Sequence, residues 1–86
     1  MASIAEVKAA IEAAIAQVGE GQAAVRMASE KITEASQTMA AALDGSGHEL
    51  VGTVQAALTQ AGTELEDCLT ATLTAVEQAQ TYAATL

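Results

Sequence analysis

The chain has 86 residues, about half of them apolar, with one tyrosine as its sole aromatic residue, one cysteine and no proline; that length holds one small domain. Three cations against 11 acids give a net charge of −8, which excludes the clustered basic surface needed for nucleic acid or an anionic membrane face. A lone cysteine excludes an internal disulfide, no apolar run approaches the ~18 residues of a membrane span, and the N-terminus lacks the basic-then-apolar order of a secretory signal.

Alanine supplies 22 of the residues, and with no proline to interrupt it the composition favours helix almost throughout. Ser3-Ile4-Ala5-Glu6 reads as a capping box, the serine and glutamate each satisfying an orphan N–H at a helix start. The first helix is predicted over about residues 4–43. Asp44-Gly45-Ser46 then forms a turn at 44–46, with Gly45 suited to a left-handed helix end and Ser46 to the N-cap of a second helix. Glu49 completes a second capping box with Ser46, and the second helix is predicted over about residues 47–84.

Along the first helix Ile4, Ile11, Val18, Val25, Ile32 and Met39 recur every seven residues. Three positions after each stand Val7, Ala14, Gly21, Ala28, Ala35 and Ala42. The second half repeats the period with Val51, Leu58, Leu65, Thr72, Ala79 and Leu86, and its following row is Val54, Ala61, Cys68, Ala75 and Tyr82. Sustained heptads of this kind mark a coiled-coil seam. A short turn forces the helices antiparallel, so Met39 is expected opposite Val51, Ile32 opposite Leu58 and Val25 opposite Leu65. Cys68 falls in the seam as a small hydrophobe facing Gly21. The expected fold is all-α: an antiparallel two-helix hairpin, dimerising into a four-helix bundle.

The expectation of dimerisation rests on size and on apolar residues outside the seam. A chain this short rarely folds stably without association or a covalent staple. Ile15, Leu69, Leu73 and Val76 lie beside the heptad rows on the half remote from the turn, and they are assigned to an oligomer interface. Charge is uneven: residues 1–43 carry 3 cations and 5 acids, residues 44–86 no cation and 6 acids. Lys8 with Glu12 and Arg26 with Glu30 are spaced to pair along the first helix. Gly19, Gly21, Gly52 and Gly62 interrupt the helices, which suggests close packing or a slight bend.

No catalytic constellation, metal site or cofactor site is expected. Glu64, Glu66 and Asp67 are the densest carboxylates, but nothing around them builds the water-poor site that a catalytic acid needs. His48 is the one histidine and lacks the Glu-x-x-His spacing of bundle di-metal sites. The alternation Thr70, Thr72, Thr74 imitates a strand, but the surrounding heptads outweigh it.

A small acidic chain folded as two long helices about a glycine-containing turn resembles the WxG-type helical hairpins of type VII secretion. The turn here is Asp44-Gly45-Ser46-Gly47 where that family carries Trp-x-Gly. Tyr82 matches the tyrosine of the family's Tyr-x-x-x-Asp/Glu export signal, with Leu86 at the acidic position. The Ala- and Thr-rich composition is similar to that of actinobacterial members. The resemblance implies a protein that is exported or escorts a larger effector, as a homo-oligomer or a heterodimer with a related hairpin. It implies residence in the cytoplasm or export by a route independent of a signal peptide. A structural coiled-coil or assembly subunit with no export role is the alternative reading. A lipid- or ligand-binding bundle is disfavoured by the row of small side chains, which leaves little cavity to fill.

Overall fold

The computed structural model describes residues 2–86. Two helices account for nearly all of them: α1, Ile4–Ala42, of 39 residues, and α2, Glu49–Thr85, of 37. At 1.5 Å per residue each is about 55–58 Å long, and the whole molecule measures 64 × 18 × 15 Å. The hairpin is therefore closed along its length, with two helices side by side and no third layer.

Each helix begins with a side-chain cap. Ser3 Oγ accepts the Glu6 N–H at 3.1 Å, covering an N–H left free by the first turn of α1. At the other end Leu43 closes α1 by donating its N–H to the Met39 carbonyl at 2.9 Å. The Ser46 N–H then returns to the Leu43 carbonyl at 3.0 Å, and Gly45 between them takes φ +80°. An L side chain at that backbone angle crowds the following carbonyl, which accounts for glycine at the bend.

The start of α2 differs from the sequence expectation. His48, not Ser46, is the N-cap: its Nδ1 accepts the Leu50 N–H at 3.1 Å. Ser46 Oγ instead accepts the His48 N–H at 3.4 Å, one link upstream. Glu49 becomes the first helical residue, where its charge suits the positive end of the helix dipole. An unprotonated imidazole nitrogen does here what a serine oxygen usually does. Replacing His48 with Ala should lower stability by about 1 kcal/mol, and Asp at the same place should restore it; urea unfolding of the two variants measures the difference.

Threonine is a poor helix former because its branched side chain crowds the preceding turn, yet α2 is rich in it. The hydroxyls of Thr63, Thr70, Thr74 and Thr81 each donate to the carbonyl four residues back at 2.9–3.2 Å, as Thr33 does in α1. The strand-like alternation at residues 70–74 is absorbed into a helix in this way.

The seam uses a different second row from the one expected. Ile11, Val18, Val25 and Ile32 are half-buried on α1, as are Val51, Leu58 and Leu65 on α2. The accompanying half-buried row lies four residues on, not three: Ile15, Gln22, Ser29 and Ser36 in α1 with Leu43 at its C-cap, and Gln55, Gly62, Leu69, Val76 and Ala83 in α2. Ala14, Gly21, Ala28, Ala35 and Ala42 are exposed, and so are Cys68, Ala75 and Tyr82, while Val7, Val54 and Ala61 remain half-buried. Both choices complete a heptad. The one realised turns Ile15, Leu43, Leu69 and Val76 inward in place of alanines, and the gain from burial scales with the apolar area covered.

Two assignments change in consequence. Cys68 is not a seam residue but lies exposed on a flank. Ile15, Leu69 and Val76 are half-buried in the seam row and keep only part of their surface for a partner, whereas Leu73 is 50% exposed. Ile4 and Met39, at the two ends of the bulky row, are exposed at 59% and 37%.

Polar side chains cross the seam at two levels. Gln22 Nε2 donates to Thr72 Oγ1 at 3.1 Å, and that hydroxyl donates onward to the Leu69 carbonyl at 2.8 Å. Nearer the turn, Ser36 Oγ donates to Gln55 Oε1 at 3.1 Å, leaving Gln55 Nε2 enclosed without an acceptor. These bonds run between residues 50 and 19 positions apart, so they tie the arms in antiparallel register.

The glycines are not packing devices. A Cβ built at Gly19, Gly21, Gly52 or Gly62 meets nothing within 4 Å, so the close approach expected of them is not made.

Candidate functional site

The groups with chemical potential are dispersed. Glu64, Glu66 and Asp67 are all exposed, and Glu64 Oε1 accepts from Gln60 Nε2 at 3.2 Å. Among the described residues no three His, Cys, Asp or Glu side chains come together in a group able to hold a metal ion. His48 is occupied as a helix cap, and Cys68 stands alone on the surface of α2. Lys31 and Glu34 form the ion pair among the described residues, 3.1 Å apart and well exposed. The pairs expected at Lys8–Glu12 and Arg26–Glu30 are not formed. An exposed pair of this kind contributes a few tenths of a kcal/mol at most.

What the fold concentrates is surface. Among the described residues none is fully buried in either helix, and the accessible area is 6172 Å². A compact monomer of 8.6 kDa exposes about 4,700 Å². The excess of roughly 1,500 Å² is what two bare helices leave uncovered when each buries a single stripe.

That surface is not uniform around the hairpin. The seam stripe of each helix is flanked on one side by the exposed small-residue row and on the other by a mixed polar row. Because the helices run oppositely, corresponding flanks fall on the same side of the molecule. One broad side thus carries Ala14, Gly21, Ala28 and Ala35 from α1 beside Cys68 and Ala75 from α2. Of the 14 charged residues none lies in these two rows. The opposite side carries Glu12, Arg26 and Glu66, with Leu73 among them.

Large apolar side chains mark the same uncharged side at both ends. Met39 and Leu50 stand near the turn, Leu50 being 59% exposed, and Ile4 and Tyr82 stand near the free ends, Tyr82 being 55% exposed. Next to Met39 a shallow, mainly apolar groove of about 520 Å³ runs along α1, lined by Lys31, Glu34, Ala35, Thr38, Met39 and Ala42. Met27, 66% exposed, projects from the outer face of α1 instead.

Of the four residues assigned to an interface, Ile15, Leu69 and Val76 are half-buried and Leu73 is exposed. No helix among the described residues is long and apolar enough to cross a membrane. Comparison with known proteins finds no matching family model, no matching curated protein and no matching solved structure.

Proposed function

We propose that the protein is a non-enzymatic helical interaction protein that works by laying its hairpin against another helical hairpin to form a four-helix bundle. The observation that carries this reading is the lack of any fully buried residue among those described, together with roughly 1,500 Å² of surface in excess of a compact chain of this mass. The two-helix layout about a glycine turn resembles the WxG-type hairpins of type VII secretion. On that likeness the role is that of an exported substrate, or of an escort to a larger effector, moved without a signal peptide. Tyr82 supports an export reading in one respect: it is exposed at the end of α2, where a recognition tyrosine must be.

Leu86, where that signal has an acid, favours a second reading: a coiled-coil scaffold or assembly subunit that stays in the cytoplasm. Secretion assays of the wild-type chain and Tyr82→Ala separate the two, since only the export reading expects secretion that the substitution abolishes.

The pairing itself is tested by solution mass and helicity across a concentration range. The expected result is a species heavier than the monomer whose helicity melts cooperatively. A chain that stays monomeric at hundreds of micromolar, and still melts cooperatively with full helicity, would overturn the reading, because it would need no partner.

A further inference from the structure

We infer that the side of the hairpin whose two central rows are free of charge, the side bearing Ala28, Ala35, Cys68 and Ala75, is the surface on which a second copy of this chain packs. The inference rests on the pairing reading above and assigns its surface and its partner.

Three observations favour this side and a copy of the same chain. The first is electrostatic. Each chain carries a net charge of −8, so two copies repel unless their acids are kept apart. This side alone presents two full-length rows free of charge. A basic partner would instead be drawn to the acidic residues of the other faces. The second is area. A side 64 Å long and 18 Å wide offers a footprint of about 1,100 Å² per protomer, against the ~800 Å² per partner of a standard stable interface. That footprint removes most of the excess surface from each chain.

The third is shape. Small side chains along the middle let helix axes approach closely, while Met39 and Leu50 at one end and Ile4 and Tyr82 at the other supply larger apolar anchors. Of the six large exposed apolar side chains among the described residues, the helical positions of these four put them on or beside this side. With charge-free rows along its middle, Lys31 and Glu34 only at the margin of the groove beside Ala35, and larger apolar side chains at both ends, the surface suits a second copy of itself.

Cys68 provides the readout. It is exposed on this side, next to the midpoint of α2. A two-fold axis through the middle of the side therefore covers both cysteines, whichever way the copies point. Wild-type chain is labelled with a thiol-reactive maleimide across a dilution series while mass is followed by light scattering. The expected result is loss of labelling in step with appearance of the doubled mass. Ala28→Glu and Ala75→Glu should each halve the mass and restore labelling with helicity retained, whereas Leu73→Glu, on the opposite side, should change neither.

The outcomes separate. A dimer in which Cys68 stays fully reactive, and which Leu73→Glu rather than Ala28→Glu dissociates, overturns the choice of side and leaves pairing standing. A poorly helical monomer overturns the second copy as partner, though not the need for one. A cooperatively folded monomer overturns both.

Discussion

Replacing Gly19, Gly52 and Gly62 with alanine should stabilise the protein by about 2–3 kcal/mol in total, one of the largest effects available from side chains that touch nothing. Each glycine sits inside a helix, where it is about 1 kcal/mol less favourable than alanine. At each the added Cβ meets no atom within 4 Å, so no clash offsets the gain. For a chain of this size that corresponds to a rise in melting temperature on the order of 10 °C or more. Gly45→Ala should act in the opposite direction, costing about 1–2 kcal/mol, because its φ of +80° strains any residue with a Cβ. Thermal unfolding at fixed protein concentration checks both signs. A lower melting temperature for any of the three helical substitutions would show that the helix needs the gap there.

Gln55→Leu should raise stability by about 1–3 kcal/mol. The amide nitrogen of Gln55 is enclosed with no acceptor, and an unsatisfied donor of this kind costs that much in desolvation. Leucine removes the penalty and adds apolar contact in a stretch where Val51, Val54 and Leu58 are already half-buried. Ser36 loses its partner but is only half-buried, so water satisfies its hydroxyl. The midpoint of urea unfolding should move up, and a fall would mean that the Ser36–Gln55 bond is worth more than the orphaned donor costs. The same substitution removes one of the two cross-seam side-chain hydrogen bonds among the described residues, leaving Gln22–Thr72 to hold the register. Polar pairs in an otherwise apolar seam are known to select one alignment at a cost in stability.

The hairpin was legible in the sequence because its evidence is redundant. The bulky row from Ile4 to Met39, its counterpart from Val51 to Leu86, and the glycine turn between them all call for the same antiparallel pair. The choice of second row was not legible, since steps of three and four residues both complete a heptad. Gln22, Ser29, Ser36 and Gln55 give the four-residue row a polar composition that a seam does not usually have. They are accommodated inside it because Gln22 finds Thr72 and Ser36 finds Gln55 across the seam, and partners 50 and 19 residues apart leave no local mark. That one inversion moved Cys68 out to the surface, drew Ile15, Leu69 and Val76 inward, and exchanged the two flanks. The start of α2 differs on a smaller scale. Histidine is an uncommon N-cap, so the local sequence favours the serine two residues earlier.

The thinness of the molecule, one helix deep on either side of its seam, also governs how it comes apart. Unfolding a single hairpin exposes little apolar surface that was not already wet, so its heat-capacity increment and its denaturant sensitivity are small for its length. Such a chain loses structure gradually, fraying from its open end rather than breaking all at once. Sharpness of the transition must then come from whatever covers the remaining surface, and a steep melt at high protein concentration beside a shallow one on dilution is the thermodynamic signature of a fold shared between molecules.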